Sequence, residues 1–187
     1  GNLLYKSVTG DFDVRARVRV RNAAGSGSPS TAALEWRFAG LQAQDPAGLT
    51  GGRFNYVHLG LGADPNGQNR LEWKVTDDDG VTGDSTFDSE AVDAPLDYDL
   101  RMVRDGQTFR LYFRASVSTV GLRNAAGFTQ IGIGDIEKDA NTPARSGGTG
   151  PIAFPSTLAV GIMGPYSGPT ATLDLQIWIE EIVFITP

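Results

Sequence analysis

The sequence predicts an all-β fold, and three observations carry the prediction. Apolar and polar residues alternate with period two along almost every segment. No segment keeps a helical period. Turn formers punctuate the chain throughout, with 24 glycines and 10 prolines among 187 residues. Roughly a dozen short strands of this kind make an antiparallel sandwich or a barrel.

The elements follow in order. In DFDVRARVRVRN, Phe12, Val14, Ala16, Val18 and Val20 alternate with Arg15, Arg17, Arg19 and Arg21. AALEWRFAGLQAQ sets Leu34, Trp36 and Phe38 against Glu35 and Arg37. RFNYVHLGLG sets Val57, Leu59 and Leu61 against Tyr56 and His58, and RLEWKV sets Leu71, Trp73 and Val75 against Glu72 and Lys74. LRMVRDGQTFRLYFRA reads as two strands around a tight Asp105-Gly106 turn. TLAVGIMG and ATLDLQIWIEEIVFI close the chain. Ala23 to Thr31, Ser116 to Gly127 and Gly134 to Pro155 break the rhythm and read as loops, the last long enough to suit a functional role.

The length suits one domain spanning residues 1–187, with no internal repeat or linker. No cysteine is present, which removes disulfides and thiolate metal sites. A net charge of −6 argues against nucleic acid or an anionic membrane as partner. No apolar run reaches the roughly 18 residues of a membrane helix. The chain opens on GNLLYKSVTGDF without a visible leader, as a mature product or a module cut from something longer would. The alternating arginines are expected on a solvated outer face beside acidic neighbours. No aromatic residues interleave with them as a single-strand binder would need.

The ordered phrases LLYKSVTGDFDVRARV, AGL, YVHLGLG, RLEWKV, LRMVRDGQTFRLYF, FTQIG, LAVGIMG and ATLDLQIWIEEIVF resemble the concanavalin A-like lectin/glucanase superfamily, nearest its small bacterial accessory modules. The resemblance implies a two-sheet antiparallel jelly-roll sandwich outside the cell or on a cell or virion surface. It implies carbohydrate binding or a spacer role, with calcium in several members. Two features depart from it. SVSTVGLRNAAGF stands where the superfamily has a short Ser-Asp-Gly-Trp turn, with Phe128 for the Trp, and the Gly134–Pro155 loop is longer than usual.

Superfamily glucanases carry Glu-x-Asp-x-Glu on one strand, since a retaining glycosidase needs two carboxyl groups about 5–5.5 Å apart. Asp135, Glu137 and Asp139 have the spacing, but the residue types are exchanged and the segment is polar. Glu180 and Glu181 are adjacent and point to opposite faces. His58 is the one histidine, and no Gly-x-Ser-x-Gly elbow accompanies it. The chain therefore reads as a non-enzyme.

Tyr56 and His58 are expected on one face, which Glu72 and Lys74 share if the registers align, and Glu35 and Arg37 are further candidates for it. They supply the aromatic and hydrogen-bonding groups that sugar recognition needs. The competing reading is an ordinary polar outer face. Trp36, Trp73 and Trp178 alternate with charged neighbours and are expected in the core, and Trp73 is also carried into the candidate ligand set. Asp77-Asp78-Asp79-Gly80 is the densest acidic point. Asp77 and Asp79 are the candidate calcium ligands, although no EF-hand spacing surrounds them and a plain hairpin turn explains the run as well. The expected function is glycan recognition on the concave sheet. The alternative is a structural subunit of a filament, sheath or virion surface, in which copies of the chain assemble through loops and edge strands.

Overall fold

The computed structural model describes residues 2–22, 24–25, 36–50, 55–78, 83–117, 119–132, 134–137, 153–166 and 175–185, with the side chains of 77, 78, 83, 84, 165, 166 and 175 left aside. Within them lie β1 (Leu3–Thr9), β2 (Phe12–Asn22), β3 (Arg37–Gln44), a short 3-10 helix (Pro46–Thr50), β4 (Asn55–Ala63), β5 (Asn69–Asp78) and β6 (Gly83–Ala91). Then come β7 (Leu96–Asp105), β8 (Thr108–Ala115), β9 (Thr129–Gln130), β10 (Ile136–Glu137), β11 (Thr157–Tyr166) and β12 (Leu175–Ile185).

The strands form two antiparallel sheets. One runs β1-β11-β3-β4-β5-β6 and the other β10-β8-β7-β2-β12, with β9 also pairing β8. The alternation predicted an all-β sandwich or barrel, and the two antiparallel sheets are consistent with the sandwich. The core lies between the sheets, where Val14, Ala16, Val18 and Val20 of β2 meet Leu41, Val57, Leu59 and Leu61, all fully buried. Each such side chain contributes about 1.5–3 kcal/mol by leaving water. The expected turn is present: Gly106, at φ +60°, opens the two-residue connection between Asp105 and Thr108.

The arginines correct the sequence reading in one respect. They lie on the outer face of their sheet, opposite the core, yet Arg15 and Arg17 are buried. Val117 and residues 119–128 lie across them. Arg15 donates to the carbonyls of Leu122 (2.9 Å) and Arg123 (2.7 Å), Arg17 to Val120 (2.6 Å), and Arg114 to Asn124 (3.0 Å) and Ala126 (2.6 Å). Phe128 caps the array, its ring centre 4.3 Å from the Arg114 guanidinium. The irregular segment is thus a strap held by guanidinium–carbonyl bonds. A planar donor fork can satisfy several carbonyls that a loop leaves unpaired.

Two other loop assignments are reached in part. Most of Ala23–Thr31, and residues 138–152 of the Gly134–Pro155 loop, lie outside the described residues. The described ends of the longer loop are tied down. Asp135 accepts from Arg110 and Gln130, while Phe154 exchanges two hydrogen bonds with the Gln107 side chain and packs on Phe109.

Candidate functional site

The outer face of the β1–β6 sheet carries most of the candidate binding residues. Strand register decides which ones, because directly paired residues share a face. β3 pairs Gln42 with His58 and Gln44 with Tyr56, and β5 pairs Lys74 with His58 and Thr76 with Tyr56. Glu72, two residues from Lys74, pairs Gly60. Tyr56, His58, Glu72 and Lys74 therefore stand together, as the sequence predicted, and Gln42 and Gln44 join them.

Two predicted members do not. Arg37 pairs Ala63, on the core side of β3, and is fully buried. Trp73 pairs Leu59 and packs against the core. The error at Arg37 was one of parity. Phe38, not Ala39, shares the outer face with Gln42, so Trp36 follows it outward and stacks on it at 5.9 Å between ring centres. Trp36 is 36% exposed and Trp178 46%, so neither sits in the core where alternation placed it. With Phe38 and Arg37 both buried, the alternation is blurred where β3 begins.

Bare backbone lies at the centre of this face. β3 and β4 pair Gly40 with Gly60 and Phe38 with Gly62. A Cβ at Gly40 would stand 2.1 Å from the Leu59 carbonyl oxygen, so a side chain there would force the strands apart. A Cβ at Gly60 would stand 2.4 Å from His58 Nε2, which shows that the imidazole lies over Gly60.

The site's electrostatics follow from burial. His58 is 2% exposed, and among the described residues neither ring nitrogen reaches full hydrogen-bond geometry, the Leu41 backbone being the polar group that comes nearest to pairing with it. Burial, with the Lys74 ammonium nearby, pushes its pKa down to about 3 against the weaker opposing pull of the Leu41 backbone, so the ring is neutral. Glu72 is 8% exposed, and burial pushes its carboxyl up to about 7, with Lys74 opposing only in part. Gln42 spends one amide hydrogen on Gln44, at 2.7 Å. The face is more buried than an open polar sheet surface, and it keeps the His58 imidazole and the Glu72 carboxyl largely out of water.

The candidate calcium ligands fall largely outside this description. Asp79 is not among the described residues, and of Asp77 only the backbone is, paired with Asn55 and Asp84. Among the described residues, no cluster of three or more acidic or histidine side chains is arranged to hold a metal. In the glucanase-like triple, Asp139 is not described and Asp135 is engaged by Arg110 at 3.0 Å.

No protein-family model and no curated protein matches the chain. Among solved structures, it is similar to a functionally unknown protein from Saccharomyces cerevisiae, with a TM-score of 0.55 and 13% identity over 98% of this chain and 74% of that one. At that identity the likeness concerns the fold alone.

Proposed function

We propose that the protein is a non-catalytic carbohydrate-recognition module with a concanavalin A-like jelly-roll topology, acting outside the cell or on a cell or virion surface. Its saccharide site is the outer face of the β1–β6 sheet. One observation carries the reading: a neutral, buried His58 lies over glycine backbone, with Glu72 and Gln42 beside it and the Trp36–Phe38 stack beyond. A pyranose ring offers apolar C–H groups to an aromatic face and hydroxyls to buried donors and acceptors. Because the polar groups are buried, a single residue or chain end suits the site better than a long polymer lying flat. Calcium held by Asp77 and Asp79 is part of this proposal, and chelation should then lower the melting temperature.

Glycan-array screening followed by calorimetry tests the reading. Trp36→Ala and His58→Ala should each weaken a saccharide hit at least about tenfold, a change of about 1.4 kcal/mol. Unchanged affinity in both variants, with the fold intact, would move the site elsewhere.

One set of observations favours assembly as a second reading. The edge strands of the β1–β6 sheet expose Leu4 (80%) and Tyr5 (49%) on β1 and Phe87 (55%) on β6. Unpaired edges of this kind invite strand addition by a second copy. Sedimentation across a concentration series separates a monomer from a growing polymer.

A further inference from the structure

Resting on the assembly reading, we propose that copies of this chain join head to tail, β6 of one against β1 of the next, with Lys6 set opposite Asp88 across the junction. Backbone geometry comes first. At the two ends of the β1–β11 ladder, Gly164 donates to the Asn2 carbonyl and Gly10 to the Ser156 carbonyl. Antiparallel pairing alternates, so Leu4, Lys6 and Val8 bond β11, while the N–H and C=O groups of Leu3, Tyr5 and Ser7 point outward. The bond from Val92 to the Asn69 carbonyl sets β6 in the same way. Asp88 and Glu90 bond β5, and Ser85, Phe87 and Ser89 turn their backbone to the edge. Neither ladder has a register shift, and Leu4, Tyr5, Lys6, Ser7, Ser85, Phe87 and Asp88 are all exposed.

Direction and parity agree with that junction. An odd number of antiparallel pairings separates β1 from β6, so the two strands run in opposite directions. A second copy set beside the first in the same orientation therefore adds its β1 antiparallel to β6, as in every other pair of the sheet. Tyr5 and Phe87 end one row across the outer face, through Gly161, Gln42, His58 and Lys74. On both edges the outward backbone thus belongs to residues of the outer face. Phe87 can then exchange bonds with the next copy's Ser7, and Ser89 with its Tyr5, which leaves Lys6 opposite Asp88 on the other face.

Charge selects this pairing over its rivals. β1 carries Lys6 and no acidic residue, while β6 carries Asp84, Asp88 and Glu90 and no basic one. Lys6 and Asp88 stand on the core side of their strands, opposite Val160 and Trp73. An inward charge on an edge strand discourages addition of another strand. Two β1 edges would bring ammonium groups together, and two β6 edges carboxylates. One edge of each kind brings opposite signs together, so the charges that block the like pairings favour the unlike one. Tyr5 and Phe87 add an aromatic contact on the diagonal. Such a contact is heterologous and leaves a free edge at each end, so growth continues past a dimer.

Sedimentation velocity over a concentration series, with charge-swapped chains, tests the proposal. The unsubstituted protein should grow past a dimer as its concentration rises. Lys6→Glu and Asp88→Lys, each checked by circular dichroism for an intact fold, should each need at least about tenfold more protein to assemble, because like charges then face each other. An equimolar mixture of the two variants should recover assembly, since each swapped strand then meets its opposite. A monomer at every concentration defeats the assembly reading, and the junction falls with it. Assembly that stops at a dimer, ignores the swaps or fails to recover in the mixture overturns the β6–β1 junction and leaves the assembly reading standing.

Discussion

Arg17 and Asp99 face each other across the β2–β7 ladder, with the guanidinium Nε 2.8 Å and one terminal nitrogen 3.1 Å from the two carboxylate oxygens. Asp99 is fully buried and also receives Arg114, at 2.8 Å, from the other side. One carboxylate thus serves as counter-ion to two guanidinium groups beneath the strap.

Losing that carboxylate should be severe. Asp99→Ala would leave Arg17 and Arg114 buried without their counter-ion, and breaking a buried pair of this kind costs about 3–5 kcal/mol. Urea denaturation should show a loss of that size. Proteolytic nicking should appear first within residues 119–128, whose carbonyls depend on the same arginines. A loss under 1 kcal/mol would mean the strap is held by other contacts.

The Phe128 ring lies over Arg114 and, farther off, over Arg15 and Arg101. Phe128→Leu keeps an apolar cover but removes the ring face, so it should cost about 0.5–2 kcal/mol. Phe128→Trp should retain most of the stability, since indole is the better cation acceptor.

His58 and Glu72 should give opposite pH slopes. The folded-state pKa of His58 is lowered to about 3, so unfolded chains gain its proton first and stability falls as pH drops below about 6.5. The folded-state pKa of Glu72 is raised to about 7, so unfolded chains lose its proton first and stability falls as pH rises from about 4.5 to 7. Between those limits the two slopes cancel. Glu72→Gln should therefore gain on the unsubstituted protein by about 3 kcal/mol as pH rises through that window, and His58→Gln should gain on it as pH falls. Parallel stability curves for all three proteins would remove burial as the governing force.

Gly60→Ala should destabilise by about 1–3 kcal/mol, because the new methyl meets the His58 ring. Adding His58→Ala should recover much of that loss. Without the recovery, the ring is not what Gly60 accommodates.

Much of the fold was legible in the sequence because strand alternation is a local property. Val14 to Val20 point inward whatever their neighbours are, and the turn at Asp105-Gly106 needs only a residue that tolerates positive φ. The neighbourhood of Tyr56, His58, Glu72 and Lys74 was legible for the same reason, since two consecutive strands in a hairpin share a register. Arg37 and Trp36 were misplaced because Arg37 and Phe38 are both buried, and only pairing with β4 shows which one faces the core. The strap over Arg15 and Arg17 left no local signal either. Its bonds join residues about a hundred positions apart, and a backbone carbonyl carries no residue identity for a reader to find.

By itself, then, the sequence determined that this chain is built of strands with one wet and one dry side, because side-chain period is set by backbone geometry within a few residues. Tertiary structure alone decided how wet the wet sides are. It covered one row of arginines with a strap and left His58 and Glu72 buried, with no ion pair to either among the described residues. Burial is a sum over distant neighbours, and it sets whether a polar side chain is solvated, paired or poised to bind.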